Sequence, residues 1–145
     1  MSLVDVVAHR DGTLFPAANT GRLVAALKRS RRELGADLPE EYVDFLQRSN
    51  GAMVDGLILY PTEPLWVDGA EVPGLIDINL RRRVDRPGLG DILVLGEVDD
   101  DFIVYRLADK GYWRIDRLSL DPCETAASLE ELVKDLVNAG NAAEF

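Results

Sequence analysis

LPEEYVDFLQRSNG, residues 38–51, is the stretch that decides the fold, because it specifies a short helix with one aromatic face. Pro39 fits the first helical position, where no N–H group is needed, and the glutamates after it suit the positive end of the helix dipole. Tyr42, Phe45 and Leu46 follow at spacings of three and four residues, so they share one face of the helix. We expect this face to join the helix to the hydrophobic core.

Both ends of this helix carry signals that connect it to other structure. Asn50 and Gly51 predict a C-cap, because glycine adopts the left-handed conformation without a Cβ clash. On the N-terminal side, Asn19 or Thr20 predicts the start of another helix that continues to about Leu34. The first third of the chain is therefore predicted to be a helical hairpin.

The motif at residues 38–51 resembles the signature of the SUKH superfamily. Its pattern is Leu-Pro-x-x-Tyr-x-x-Phe-Leu-x-x-x-Asn-Gly, and it is filled by Leu38, Pro39, Tyr42, Phe45, Leu46, Asn50 and Gly51. This superfamily includes fungal cell-wall regulators of the Smi/Knr type and many bacterial immunity proteins. The resemblance implies a SUKH-like domain, and its supporting pattern covers about residues 20–138.

After residue 51 the chain alternates short apolar runs with turn residues, which predicts strands. Strands are expected at residues 57–60, 65–67, 92–95, 102–107 and 112–115. Helices are expected at residues 74–86, where the resemblance also implies one, and from Ser128 to Gly140. The sequence predicts a single α+β domain over residues 1–145. About four helices, including the N-terminal hairpin and a C-terminal helix, pack around one mostly antiparallel sheet.

The charge of the chain is unevenly distributed. The net charge is −10, and residues 1–50 contain seven basic and seven acidic side chains, so the whole excess lies in residues 51–145. Such a chain repels nucleic acid and attracts basic proteins. No apolar run approaches the roughly 20 residues that span a membrane, and no basic-then-apolar leader is recognisable. We expect a cytoplasmic protein whose partner is a basic protein.

Four carboxylates lie close together in one predicted connection between strands. Glu97, Asp99, Asp100 and Asp101 suggest a divalent cation, because hard cations take clustered carboxylates. However, the run lacks the ligand spacing and the sixth-position glycine of a calcium loop. A solvated turn fits better, and so does a protein-binding surface, since a basic partner relieves the repulsion between exposed carboxylates. No metal ion or cofactor is expected.

Two tryptophans are candidate anchors for a partner, because aromatic side chains dominate many interfaces. Trp66 lies before a predicted turn at Asp68-Gly69, and Trp113 follows Tyr112 in the last predicted strand. Alternation along a strand places Tyr112 and Trp113 on opposite faces of the sheet. At most one of this pair should therefore be a core residue.

A basic segment follows in the predicted helix 74–86. Residues 81–83 are three arginines, and Arg86 comes shortly after them. A nucleic-acid site would need a wider basic face with stacking aromatic residues. We expect these arginines to pair with neighbouring carboxylates such as Asp77 and Asp85.

No arrangement of residues indicates catalysis. His9 is the single histidine, and no motif places a nucleophile beside it. Cys123 follows Asp121 and Pro122 in a predicted loop without a metal-ligand companion, so we interpret it as a small hydrophobe. The chain is not expected to be an enzyme.

Two functions remain open. The resemblance implies an immunity protein that binds and neutralises a toxin domain of the nuclease or deaminase type, and the acidic later part of the chain suits a basic toxin. The alternative is a regulatory or scaffold interaction domain of the cell-wall-regulator type, without a toxin partner. An enzymatic or small-molecule function has little support, since no nucleophile, metal cluster or phosphate loop is recognisable.

Overall fold

A computed structural model describes residues 2–142, apart from the side chains of residues 88 and 139–142. The helices are α1 (Leu3–His9), α2 (Thr20–Arg29), α3 (Glu40–Arg48), α4 (Leu75–Asp85) and α5 (Leu129–Ala142). A π-helical turn (Ser30–Leu34) continues α2, and a 3-10 turn (Pro87–Asp91) follows α4. The strands are β1 (Thr13–Leu14), β2 (Ala52–Val54), β3 (Leu57–Leu59), β4 (Leu65–Val67), β5 (Ala70–Val72), β6 (Ile92–Val98), β7 (Asp101–Arg106), β8 (Tyr112–Asp116) and β9 (Pro122–Ala126).

Seven of the strands form one sheet in the order β1-β2-β3-β6-β7-β8-β9, and β4 and β5 form a separate hairpin. Every neighbouring pair in the large sheet is antiparallel. The predicted α+β class, the antiparallel sheet and the terminal helices are therefore confirmed. Within residues 2–142, no helix combines the length and the apolar character needed to cross a membrane.

Helices α1, α3 and α5 cover one face of the sheet, and α4 lies on its other side. The alternation of β7 and β8 directs Ile103 and Tyr112 towards the first face, where both are buried. On the second face Phe102 is also buried, and the guanidinium group of Arg82 in α4 lies 5.4 Å from its ring centroid. The sheet is thus covered on both sides, as its many buried residues require.

The described chain contains five α-helices, where about four were predicted, because residues 3–9 form a further helix, α1. Ser2 and Asp5 make a capping box at its start: the Ser2 hydroxyl accepts from the Asp5 N–H, and the Asp5 carboxylate accepts from the Ser2 N–H. Leu3, Val6 and Val7 of this helix are core residues. The core therefore begins before residue 20, where the family resemblance begins.

The motif helix α3 contributes its aromatic face to the core as predicted. Leu38, Tyr42, Phe45 and Leu46 are all at most 6% exposed. The Tyr42 hydroxyl donates to the carbonyl oxygens of Tyr60 (2.5 Å) and Leu95 (3.2 Å). This one side chain therefore joins α3 to two segments of the sheet.

The ends of α3 differ from the prediction. Pro39 is the N-cap with extended dihedral angles, one position before the first helical residue, and Ser49 is the C-cap. Gly51 has a φ of +98°, and a Cβ there would lie 2.8 Å from the carbonyl oxygen of Leu59. The Asn50 side-chain oxygen accepts from the N–H of Thr62 (2.8 Å). Asn50 and Gly51 therefore fit the chain against the sheet rather than cap the helix.

The predicted boundaries of the other helices are mostly confirmed. Asn19 caps α2 by accepting from the Arg22 N–H (2.8 Å), and Gly35 ends the π-helical turn with a φ of +70°. The Ser128 hydroxyl accepts from the Glu131 N–H (3.1 Å) at the start of α5. The end predicted at Gly140 is wrong, since α5 continues to Ala142.

Two Asp-Gly pairs form hairpin turns, and each turn is flanked by a strand, β2 or β5, that the sequence did not predict. The turn at Asp68-Gly69 itself was predicted. Asp55 and Gly56, with φ of +48° and +82°, connect β2 to β3. Asp68 and Gly69, with φ of +50° and +80°, connect β4 to β5. Both pairs have the left-handed conformations of the two-residue turns that suit twisted strands. The predicted loop at Cys123 is also wrong, because this exposed residue lies in edge strand β9.

Candidate functional site: the acidic turn end of the sheet

Antiparallel pairing brings three chain reversals to one end of the large sheet. They are the β2–β3 turn at residues 55–56, the β6–β7 turn at residues 99–100 and the β8–β9 loop at residues 117–121. Pairing of Leu57 with Val98 sets the first two reversals side by side. The third is attached by the main chain, since the residue 117 N–H donates to the carbonyl oxygen of residue 100 (3.0 Å).

These reversals are rich in aspartate, and we call this surface the acidic turn end. It consists of Asp55, Asp99, Asp100, Asp116 and Asp121. Four of the five residues are exposed, and Asp116 is half-buried. Among residues 2–142, no side chain donates a hydrogen bond to the carboxylate of Asp99 or Asp100. The acidic turn end is therefore negative and only partly neutralised by the chain itself.

Asp116 keeps its charge through main-chain contacts. The N–H groups of Ser119 and Leu118 each donate to its Oδ1 at 2.8 Å. These contacts hold the pKa of the Asp116 carboxyl below its ordinary value. The same bonds shape the β8–β9 loop, so that this aspartate organises the surface as well as charging it.

Two of the four carboxylates proposed from sequence are already paired. Glu97 accepts from Arg117 (2.9 Å) and from the Tyr60 hydroxyl (2.9 Å). Asp101 forms an ion pair with Arg114 (3.4 Å) and is mostly buried. The expectation of four unpaired carboxylates on one loop is wrong for these two, because β6 and β7 extend further than predicted. Only residues 99 and 100 remain in the turn.

The two candidate tryptophans lie away from the acidic turn end. Trp66 is 72% exposed on the β4–β5 hairpin, opposite Glu71. Trp113 is half-buried near the start of β8, with the Arg106 guanidinium 4.9 Å from its ring centroid. Tyr112, its neighbour, is 5% exposed, so one member of this pair is a core residue as predicted.

The arginines of α4 are held by carbonyl groups and an aromatic ring, and the pairing predicted with Asp77 and Asp85 is wrong. Asp77 instead accepts from Arg29 of α2 (3.0 Å). Arg83 donates to the carbonyl oxygens of Leu34 (2.9 Å) and Ile92 (3.2 Å), and Arg82 lies over the Phe102 ring. Arg86, the residue directly after α4, donates to the Leu118 carbonyl oxygen (2.7 Å). These arginines therefore fasten α4 to the sheet and the β8–β9 loop.

A cavity of about 240 Å³ opens between the first two acidic turns and α5, and we call it the Asp55–Asp99 pocket. It is lined by Asp55, Leu57, Val98, Asp99, Arg114, Leu136 and Val137. Leu57, Leu136 and Val137 are at most 8% exposed and form an apolar floor, whereas the two aspartates are exposed at the mouth. Carboxylates and aliphatic groups thus line the same cavity.

The ion pairs around this pocket leave it negative. Asp55 uses only Oδ2 to accept from Nε (3.2 Å) and Nη2 (3.0 Å) of Arg10. Arg114 is paired with Asp101 (3.4 Å) and Glu124 (3.7 Å). Arg117, which donates to the main-chain carbonyl of Asp99 (3.4 Å), is itself paired with Glu97 (2.9 Å). With the Asp99 carboxylate included, five carboxylates lie near three guanidinium groups, which leaves an excess of two negative charges. The pocket therefore favours a cation.

No family model matches the chain, and no curated protein matches it. The SUKH resemblance therefore stays a prediction from the motif at residues 38–51. In the part of the chain that the structure describes, no three His, Cys, Asp or Glu side chains are grouped as metal ligands. The chemistry that the acidic turn end offers is recognition of positive charge. Asp55, Asp116 and Asp121 are the members that the charge run at residues 97–101 does not reveal. For Asp55, the Asp-Gly sequence predicts a hairpin turn.

Proposed function

We propose that this chain is a cytoplasmic immunity protein, which neutralises a basic toxin domain of the nuclease or deaminase type by binding it with the acidic turn end. The observation that carries the proposal is the placement of Asp55 beside Asp99 and Asp100, which are more than forty residues away in sequence. The resemblance of residues 38–51 to the SUKH signature supports the same function. The proposed mechanism is binding, and it requires no reaction.

The electrostatics of such a partner explain why an acidic surface would inhibit it. A domain that acts on nucleic acid presents lysine and arginine to phosphate groups. Carboxylates on an inhibitor can occupy those same cationic side chains, and complementary charge also accelerates association. The acidic turn end would therefore both speed the encounter and cover the surface that binds the substrate.

The first test of this function is a search for a toxin domain encoded beside this chain, followed by co-expression of the two. We expect co-expression to protect cells from that toxin, and the two proteins to purify as a one-to-one complex. The absence of an adjacent toxin gene, or a failure of protection, would contradict the immunity function.

A second test assigns the surface through association kinetics. Asp99→Asn combined with Asp100→Asn should slow association roughly tenfold at low salt, because steering depends on charge. Asn tolerates the left-handed conformation that Asp99 adopts, with a φ of +51°, so the turn is retained. Asp68→Asn is the matched control, since this exposed aspartate has the same conformation in the separate β4–β5 hairpin. Equal rates for both variants would exclude the acidic turn end.

The alternative is a regulatory or scaffold domain without a toxin partner, and Trp66 is the observation that favours it. An indole that is 72% exposed on a hairpin outside the main sheet suits a second interaction surface. Trp66→Ser should leave toxin binding unchanged if the immunity function holds. A chain that binds cellular proteins through Trp66 and no toxin would favour the alternative.

A further inference from the structure

The Asp55–Asp99 pocket has the size and lining to hold one long side chain with a positive head. We propose that it is an anchor site for an arginine side chain of the basic partner. The inference rests on the proposed function, because the arginine belongs to the protein that the acidic turn end binds. It adds a defined contact to what is otherwise a general attraction between charged surfaces.

The floor of the pocket suits the aliphatic part of an arginine. Leu57 and Val98 come from paired positions of β3 and β6, and Leu136 and Val137 come from one turn of α5. The methylene groups of a long basic side chain pack on such apolar surface while the charged head stays near water. A metal ion fits this pocket less well, because calcium and magnesium require six or more oxygen ligands and the aliphatic side chains of the floor provide none.

The mouth of the pocket suits the guanidinium group. Arg10 uses Oδ2 of Asp55, so Oδ1 of the same carboxylate is left without a donor among the described residues. The Asp99 carboxylate stands on the neighbouring turn and also has no side-chain donor within residues 2–142. Two carboxylates from adjacent turns match the several N–H donors of a guanidinium group. An uncharged apolar side chain would instead remove water from these carboxylates without replacing its hydrogen bonds.

Arg114 lines the pocket but does not fill this role. Its guanidinium group is shared by Asp101 and Glu124, which lie on the strands on either side of β8. The pocket therefore keeps its excess of two negative charges with Arg114 in place. An arginine from a partner would therefore enter a site in which Arg10 and Arg114 are already paired with carboxylates of the chain.

The test titrates the full chain with the peptide acetyl-Gly-Arg-Gly-amide and follows the methyl groups by ¹H–¹³C NMR spectroscopy. We expect saturable shifts of the Leu57, Val98, Leu136 and Val137 methyl signals. The same peptide with citrulline, which is uncharged and almost equal in shape, should cause no comparable shifts. Asp99→Asn should weaken the affinity of the chain for the arginine peptide about three- to tenfold, the range for loss of one charged contact at a partly exposed site.

Asp68→Asn is the control variant and should bind the arginine peptide as the unaltered chain does. The proposal is overturned if the citrulline peptide binds equally well, if Asp99→Asn binds the arginine peptide as tightly as the unaltered chain, or if no methyl signal shifts. Because the peptide assay uses no toxin, its failure is distinguishable from failure of the proposed function.

Slow toxin association in the Asp99 and Asp100 variant without peptide binding would exclude the pocket and retain the acidic surface. Peptide binding without any toxin complex would retain the pocket and exclude the immunity function.

Discussion

At the scale of single residues, Tyr42 explains why the motif helix is placed where it is. Its hydroxyl donates to the carbonyl oxygens of Tyr60 and Leu95, just where the pairing of β3 with β6 ends. Burial raises the pKa of Tyr42 well above its ordinary value, so the phenol is protonated and can donate at neutral pH. The motif tyrosine therefore has a polar role in the core as well as an apolar one.

Tyr42→Phe tests this role because it removes the hydroxyl and keeps the ring. The buried Tyr60 carbonyl then loses its short hydrogen bond, whereas the Leu95 carbonyl keeps the Tyr60 N–H (3.0 Å), and we expect the free energy of unfolding in urea to fall by about 1–3 kcal/mol. Tyr105→Phe is the control, since Tyr105 is half-buried and its hydroxyl has no hydrogen-bond partner within the described residues. A Tyr42→Phe variant as stable as the control would show that these bonds do not stabilise the fold.

At the scale of elements, Asn79 shows how a helix can substitute for a strand. β3 pairs only with residues 96–98 of β6, which leaves Val94 without a partner on that side. The Asn79 side chain fills this gap, because its Oδ1 accepts from the Val94 N–H (2.8 Å) and its Nδ2 donates to the Val94 carbonyl (2.8 Å). Asn79 is 1% exposed, so α4 completes the hydrogen bonding of a buried edge.

Asn79→Leu should destabilise the chain although it makes the helix face more apolar. Two main-chain groups of Val94 would be buried without partners, which costs at least about 2 kcal/mol. Urea unfolding measures this loss, and hydrogen exchange at the Val94 amide should become faster. Asn138→Leu, at an exposed position of α5, is the matched control with little effect. Equal stability of the two variants would contradict the bridging role of Asn79.

The elements also show where sequence was informative. Apolar periodicity predicted α2, α3, α4 and α5, because each buries one continuous face. The capping box of Ser2 and Asp5 is a local signal for the start of α1. The two Asp-Gly pairs are local signals for hairpins, and therefore for strands β2 and β5. β9 is different, because Pro122 to Ala126 lacks β-branched and aromatic residues apart from one threonine, and only its pairing with β8 makes it a strand.

The candidate site could be predicted only in part, because some of its residues are adjacent in sequence and others are brought together by strand pairing. Asp99 and Asp100 are adjacent in sequence, so their exposure follows from the turn alone. The addition of Asp55 depends on the pairing of β3 with β6, which no local pattern specifies. The partners of Glu97 and of the α4 arginines likewise come from distant segments. Local sequence patterns therefore do not predict the contacts between elements.

At the scale of the whole molecule, α1 closes the core over the sheet face that α3 and α5 also cover. Its residues Leu3, Val6 and Val7 are at most 5% exposed, and each buried side chain of this kind contributes about 1.5–3 kcal/mol. Their sum is comparable with the net stability of a typical domain, which is about 5–15 kcal/mol. Residues 2–9 are therefore part of the folding unit.

Deletion of residues 1–9 should abolish cooperative unfolding or lower its midpoint strongly, because the apolar face beneath α1 becomes exposed. Circular dichroism on heating measures the transition, and increased binding of the dye ANS reports the exposed surface. Ser2→Ala removes the helix cap and the exposed hydrogen bond from Arg48 (2.9 Å) but no core side chain, and it should cost about 1 kcal/mol. A deletion variant that unfolds at the same temperature as the complete chain would show that α1 is dispensable.

The position of the acidic aspartates on chain reversals also bears on how such a protein can change over generations. Asp55, Asp99 and Asp100 contribute no side chain to the core, whereas Tyr42, Asn79 and the α1 residues hold the scaffold together. Asp55 and Asp99 have positive φ values, so asparagine and glycine are the substitutes that these turns accept with little strain. At Asp100, which is exposed and has no such restriction, a substitution usually alters stability by less than about 0.5 kcal/mol. The surface chemistry of these reversals can therefore change one residue at a time, within the residue types that the turns accept, while the helices and strands behind them stay unaltered.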